Sequence, residues 1–324
     1  MGFAEEFSKE IGDVEEEIKK ILPRRPAEVY GVLEEFIARG GKRIRPVLTL
    51  LFTKAYGGSY REALRPAALI EIFHNFTLIH DDIEDNSPLR RGKPTLHRMY
   101  GVPIALNSGD ALYTFVWNEI LKIKNEEVKF LMGDAFRRVV EGQGKELYWE
   151  RQKIFDVGER DYMEMAGGKT AALIGAACEV GATVAKKGKK EREAARFFGE
   201  SIGLAFQIQD DILNITGTVE EYKKKIGDDI TEGKRTLMVI KTLEMAEPRD
   251  KKRLIEILSS HTEDEVEISE AIGIIKKYGG IEYARKKAEE LVARGISKVE
   301  KAIPEGKEKR RIIEIAKYFM TRRE

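Results

Sequence analysis

Residues 66–85 read PAALIEIFHNFTLIHDDIED, and residues 86–94, which follow, read NSPLRRGKP. Apolar side chains recur here at three- and four-residue spacing rather than in alternation. The stretch is therefore predicted to be a helix opened by Pro66 and too apolar to lie on the surface. It ends in Asp81, Asp82, Glu84 and Asp85. A helix carboxyl end already presents carbonyl oxygens, so it is the unfavourable end for negative charge. Asp81 and Asp85 stand four residues apart on one face, with roughly 6 Å between their side-chain bases. At an effective dielectric of ~20 they repel by ~3 kcal/mol, so the pair calls for a cation. Hard oxygen donors with no cysteine and no histidine triad beside them point to Mg2+, which takes one or two carboxylates and completes its shell with water and phosphate oxygens.

A second acidic helix repeats the pattern about 130 residues later. In residues 199–217, GESIGLAFQIQDDILNITG, the side chains of Gln207, Asp210, Asp211 and Asn214 fall at i, i+3, i+4 and i+7. They make one polar stripe on an otherwise apolar helix. Two such helices facing one another would bracket several divalent ions, as inward carboxylates do in other helical metal proteins. Basic residues sit at loops or helix ends around both: Lys42, Arg43 and Arg45 after Gly40-Gly41, then Arg90-Arg91, Lys169-Thr170, Lys224 and Lys234. Carboxylates together with guanidinium groups suit a metal-bound polyphosphate, the acids holding ions while Arg forks clasp phosphate oxygens.

The rest of the chain narrows the class. No proline occurs between Pro103 and Pro248, and a proline ring is excluded from helix interiors, so long helices are expected there. Breaks are expected at Pro23 to Pro26, Gly57-Gly58, Asn86 to Pro94, Gly188, Gly217 to Gly227, near His261 and at Pro304 to Gly306. None resembles a flexible linker, so residues 1–324 are expected to form one all-α domain. With 57 Lys and Arg against 56 Asp and Glu, the net charge is +1. That argues against a nucleic-acid binder and against a polybasic membrane arm. A lone Cys178 forms no internal disulfide, which suits a reducing, cytoplasmic setting. The start lacks a signal peptide's basic and apolar regions, Glu6 spoils a myristoylation motif, and no apolar run approaches membrane-spanning length, so an unanchored chain is expected. Gly168-Lys169-Thr170 and Gly233-Lys234-Arg235 lack the preceding glycine of a phosphate-binding P-loop. The 35% charged fraction resembles that of thermophile proteins.

The ordered pieces GGKRIRP (40–46), LIHDDIED (78–85), LRRGKPT (89–95), GKTAAL (168–173), FQIQDDILN (206–214) and KKKIGDDITEGKRTL (223–237) together are specific. Over about residues 40–237 the chain resembles the trans-isoprenyl diphosphate synthases of the polyprenyl synthetase family, most closely the archaeal type that makes geranylgeranyl diphosphate. The resemblance implies a helical bundle around a deep apolar cavity, usually a homodimer. It also implies Mg2+-dependent head-to-tail condensation of isopentenyl diphosphate with an allylic diphosphate, using about three Mg2+ ions per site. Asp81, Asp85 and Asp210 match the metal ligands, supported by Asp82 and Asp211. Lys42, Arg45, His74 and Arg91 match positions that bind isopentenyl diphosphate. Arg90, Lys169, Thr170, Gln207, Lys224 and Lys234 match those that bind the allylic diphosphate. His74 lies about two turns before Asp81 on the same face, whereas His80 and His97 are read as structural and His261 as a surface residue.

Three positions depart from the family pattern. Asn214 stands where a third Asp is usual, Lys223 where a Gly is, and Glu146 where an Asp is. The first bears on the grip on a third ion, the last on any role near the metals. Phe76, five residues before the first motif, and Thr77 beside it match the positions that limit product length, implying mainly a C20 product with C15 as the alternative. Phe76 lies about 140° round the helix from Asp81, so the resemblance rather than the helical wheel nominates it. Two other classes share the fold: a non-catalytic subunit of a heteromeric synthase, which the complete DDIED argues against, and a terpene cyclase, which has no use for a second diphosphate site.

Overall fold

The computed structural model describes residues 2–217 and 226–321 of the chain. Seventeen helices account for almost all regular structure among these residues. They are α1 (Phe3–Glu6), α2 (Ser8–Ile21), α3 (Ala27–Ala38), α4 (Ile44–Ala55), α5 (Tyr60–Glu84), α6 (Leu96–Tyr100), α7 (Val102–Ile120), α8 (Glu126–Arg151) and α9 (Glu159–Ala166). A π-helical turn (Gly167–Ala171) leads into α10 (Ala172–Val184), followed by α11 (Lys189–Thr216), α12 (Asp228–Thr231), α13 (Leu237–Met245), α14 (Pro248–Ser260), α15 (Glu265–Lys277), α16 (Gly280–Ala302) and α17 (Lys307–Thr321). The expectation of an all-α chain therefore holds. The exception among the described residues is a small antiparallel pair, β1 (Leu89–Arg90) and β2 (Lys93–Pro94), with Leu89 opposite Pro94 and Arg90 opposite Lys93. Two compact units are present: Met1–Phe136, Ala176–Arg196 and Ala302–Ile312 in the first, and Arg137–Gly175, Phe197–Lys301 and Ile313–Glu324 in the second.

Helix α5 is the spine of the first unit. Ala67, Ala68, Leu69, Ile70, Ile72 and Phe73 have no exposed surface, and each large apolar side chain so buried contributes roughly 1.5–3 kcal/mol. Helices α2, α4 and α7 pack along it. The sequence places its start at Pro66; the structure starts it at Tyr60 and leaves Pro66 buried inside it. Ser59 explains the difference, because its Oγ accepts from the Glu62 amide at 3.3 Å and caps the earlier turn. Pro66 then lies near enough to the amino end for the surrounding packing to absorb one missing donor.

Close approach of α7 to α5 depends on Ala105, Ser108 and Gly109, all buried. A Cβ on Gly109 would stand 2.2 Å from the His80 ring, so a larger residue there would push the helices apart. The boundary between α7 and α8 carries no proline or glycine to mark it in the sequence; Asn125 makes it, its Oδ1 accepting from the amides of Glu127 at 3.0 Å and Val128 at 3.2 Å. The amino-terminal helices meet the segment Ala302–Ile312 in this unit. Arg311 donates to both oxygens of Glu10 at 2.8 and 3.0 Å and lies 4.6 Å over the Phe7 ring.

In the second unit three glycines bring backbones together. A Cβ on Gly142 of α8 would meet the Lys169 amide nitrogen at 2.2 Å, and one on Gly168 would meet the Arg138 carbonyl at 2.6 Å. A Cβ on Gly203 of α11 would reach Ala171 at 2.7 Å. The π-helical turn is thus seated between α8 and α11. A turn of this kind is uncommon and accompanies functional sites; here it carries Lys169 and Thr170. No helix among the described residues is long and apolar enough to cross a membrane.

Candidate active site

The first unit gathers two groups of charged residues on α5 and its adjoining loops. At the carboxyl end of the helix, Asp81 and Asp85 are half-exposed and Asp82 is buried. Asp85, the residue that caps the helix, keeps a helical backbone, its amide bonding the Asp81 carbonyl at 2.9 Å, so the four-residue relationship read from the sequence persists. The three acids have different surroundings. Arg90, delivered by β1, donates from Nε to Asp82 at 2.7 Å and reaches Asp81 at 3.5 Å. Burial opposes its charge, yet Asp82 and Asp81 hold the Arg90 guanidinium above its ordinary range. Asp82 is thereby engaged by protein, while Asp81 and Asp85 keep part of their surface open.

About two turns earlier lies a group of cations. Arg45 on the first turn of α4, Arg91 in the hairpin and His74 on α5 share one electrostatic neighbourhood. Burial, reinforced by Arg45 and Arg91, pushes the His74 imidazole well below its usual range. Burial also draws Arg45 and Arg91 down to about 10, with the Glu71 charge opposing the fall in each. The Nε of Arg45 is buried with no hydrogen-bond partner among the described residues. Arg91 adopts a left-handed backbone and leans toward Asn75 Oδ1 at 3.5 Å. A Cβ on Gly41 would stand 2.9 Å from its guanidinium, so only glycine lets the loop bearing the half-buried Lys42 run this close. Thr77 donates to the His74 carbonyl at 2.8 Å and lies 3.5 Å from the His74 ring. Phe76 is 8% exposed and faces an aromatic group, its ring 5.3 Å from Phe73, 5.2 Å from Tyr113 and 4.7 Å from His80.

The second unit holds the other predicted residues. Asp210 is half-exposed, whereas Asp211 and Asn214 are buried. Tyr162 donates to Asp211 Oδ2 at 2.8 Å and Gln207 to its Oδ1 at 2.9 Å, while Thr170 donates to Gln207 at 2.6 Å. Burial and the neighbouring Asp229 push the Asp211 carboxyl well above the usual carboxylate range against these bonds. Lys169 pairs with Glu146, whose extra methylene serves that reach. Lys234 lies 3.5 Å from Asp229 and pairs with Glu232. Asn214 accepts from the Asp229 amide at 3.2 Å, and its carbonyl accepts from Gly227 at 2.8 Å, which fixes the turn leading to Lys234. Lys223 and Lys224 lie outside the described residues.

The histidines read as structural behave so: His80 packs on Gly109 and Phe76, and His97 is buried. His261 is exposed at the end of α14. Tyr162, Glu71 and Asn75 were not singled out by sequence. A polar residue about two or three turns before the acids along an apolar helix was the available signal for Asn75 and Glu71. Nothing local marks Tyr162.

The donor set fits a hard divalent cation. Asp81 and Asp85 in the first unit, and Asp210 in the second, are half-exposed carboxylates, although among the described residues no three His, Cys, Asp or Glu side chains are gathered into a group that could hold a metal ion by itself. Mg2+ takes few protein ligands and keeps positions for water and phosphate.

Comparison with known proteins gives the family and the fold. The sequence profile of the polyprenyl synthetase family matches residues 26–275. A short chain isoprenyl diphosphate synthase of Methanothermobacter thermautotrophicus is 43% identical over 263 residues, 80% of each chain. The crystal structure of geranylgeranyl pyrophosphate synthetase from Pyrococcus horikoshii superposes with a TM-score of 0.91 at 33% identity, over 99% of this chain and 98% of that one. A polyprenyl synthase from Caulobacter crescentus, crystallised with calcium and isoprenyl diphosphate, gives 0.92 at 27% identity over 99% and 97%. The chain belongs to the polyprenyl synthetase family, as its ordered motifs implied.

One consequence concerns pH. The unfolded chain holds His74 near 6.5, and the folded chain holds it far lower. Below about pH 6.5 the unfolded state therefore binds a proton that the folded state refuses, and this contribution lowers stability as pH falls. Thermal unfolding between pH 7 and pH 5 is expected to show a larger drop in midpoint for the parent chain than for His74→Gln; equal drops would mean that the imidazole is not held neutral.

Proposed function

We propose that this chain is a Mg2+-dependent prenyltransferase that joins isopentenyl diphosphate head-to-tail to an allylic diphosphate, making chiefly the C20 product and, as the nearest alternative, C15. The observation that carries this reading is the sorting of charge on α5. A desolvated cation group around His74 lies about two turns, or roughly 10 Å along the helix, from the carboxylates at its end. One helix thus offers two chemically different places for diphosphate, one direct and one through metal. A cyclase, which ionises a single diphosphate, has no use for the first.

Asp81 and Asp85 of the first unit, and Asp210 of the second, would serve as ligands to Mg2+, about three ions in number. When bound, the ions supply positive charge that stabilises the diphosphate as the allylic C–O bond breaks. The chain's own fixed cations act in the same sense. Lys169 on the π-helical turn, Arg90 and Lys234 balance charge growing on the leaving diphosphate, and fixed charges need no reorganisation at that moment; Lys224, outside the described residues, is given the same part by its motif alone. Gln207, held by Thr170, and Asp211, held by Tyr162, keep the second acidic helix in position. Lys42, Arg45, Arg91 and a neutral His74 grip isopentenyl diphosphate and orient its double bond toward the allylic carbon. The aromatic side chains beside Phe76 keep water from the carbocation, and Phe76 itself limits the growing tail, with Thr77 beside it.

A homodimer is part of this reading. Val102, Ile104, Leu106 and Tyr113 on α7, Leu121 after it and Phe130 at the start of α8 are exposed, Leu121 at 68% and Phe130 at 72%. An apolar surface of this kind suits a self-complementary interface. Cytoplasmic residence and a single catalytic domain over 1–324 complete the proposal.

Incubation with farnesyl diphosphate, labelled isopentenyl diphosphate and Mg2+ is expected to give labelled C20 diphosphate, and none once the metal is chelated. Conversion of the allylic substrate without uptake of label would identify a cyclase. No product unless a second subunit is added would identify a regulatory chain. Replacement Phe76→Ser is expected to shift the product toward longer chains in chromatography of the hydrolysed prenols; an unchanged spectrum would remove Phe76 from length control. Sedimentation should show a dimer that Phe130→Glu converts to monomer, and an unaltered dimer would place the interface elsewhere.

A further inference from the structure

The loop Gly40-Gly41-Lys42-Arg43-Ile44-Arg45 contains a third cation with no part in the functions assigned above. Arg43 is 3% exposed, whereas Lys42 and Arg45 on either side are half-buried. Its backbone occupies the left-handed region at φ 51°, uncommon for any residue other than glycine, just before α4 begins. The guanidinium is held at three points: Nη1 donates to Glu71 Oε1 at 2.8 Å, Nη2 to the Ile37 carbonyl at 2.7 Å, and Nε to Glu15 at 3.4 Å. Glu71 is 2% exposed and lies on α5, three residues before His74.

Glu71 is a hazard to an anion site. It is the acid whose charge both Arg45 and Arg91 feel most strongly. A carboxylate and a phosphate present the same oxygen geometry to an Arg fork, so a mobile acid here would compete directly with substrate. We infer that Arg43 is a positioning residue, which holds the Glu71 carboxylate so that Arg45 and Arg91 remain open to the diphosphate of isopentenyl diphosphate. The inference rests on the proposed assignment of that cation group. Its signature differs from that of an ordinary buried ion pair. If the pair merely joins the loop to α5, breaking it lowers stability and leaves substrate affinity intact. If it restrains Glu71, breaking it weakens affinity, and removing Glu71 as well brings affinity back.

Calorimetric titration with isopentenyl diphosphate, beside steady-state KM values for both substrates, separates these cases. Arg43→Met is expected to weaken isopentenyl diphosphate binding about tenfold, the scale of one competing charge at a binding site, with KM for the allylic substrate unchanged. Arg43→Met with Glu71→Gln is expected to return to within about twofold of the parent chain. Wild-type affinity in the single variant, or a double variant as weak as the single, overturns the inference. Should Arg43→Met not fold, Glu71→Gln alone decides: binding at least as tight as in the parent supports restraint of a competing acid, and weaker binding overturns it. A parent chain that takes up no isopentenyl diphosphate overturns the site assignment itself, and the inference falls with it.

Discussion

A charge removed from water must be answered by another charge or by hydrogen bonds. Helix α5 buries its apolar face almost completely, yet it carries Glu71, His74, Asp81, Asp82 and Asp85 along the same stretch. Each is answered differently. Glu71 is taken by Arg43 at 2.8 Å and Asp82 by Arg90 at 2.7 Å, while His74 is kept neutral by burial beside Arg45 and Arg91. Asp81 and Asp85 remain half-exposed at the helix end. The same requirement that makes the helix stable thus separates residues buried against protein partners from residues that keep part of their surface exposed.

The second unit obeys the same rule with neutral groups. Asp211 is buried and held by Tyr162 and Gln207, and Gln207 in turn accepts from Thr170. Asp210, one residue away, is half-exposed. In both motifs, adjacent aspartates of identical chemistry fall on different sides of a helix, one turned toward protein donors and one left partly open. Periodicity predicts that adjacent residues diverge by about 100°, but which of the two faces the interior depends on what packs there.

The family pattern's departures acquire physical roles in this frame. Glu146, longer by one methylene than the usual Asp, pairs with Lys169 on the π-helical turn. Asn214 is buried and spends its oxygen on the Asp229 amide, so it acts on the turn before Lys234. Both residues thus help to place lysines of the second unit. The glycines at 142, 168 and 203 have a comparable indirect role, since their missing side chains allow the backbone contacts that seat Lys169 and Thr170.

The helical class, the breaks at Gly57-Gly58, Asn86 to Pro94 and Pro304 to Gly306, the two acidic motifs and the identity of the family were legible in the sequence alone. Each depends on local spacing, on backbone chemistry or on motifs quoted in order. Other features were not legible. The start of α5 moved from Pro66 to Tyr60 because a serine cap outweighed a proline signal, and the small hairpin after it was unforeseen. The partners of Tyr162, Glu71 and Arg43, the neutrality of His74 and the pairing of Glu146 with Lys169 were decided only by tertiary structure. Spacing along a chain fixes which residues share a helix face, whereas burial and partnership belong to neighbours 28, 49 or 23 positions away, as for Arg43 with Glu71, Tyr162 with Asp211 and Lys169 with Glu146.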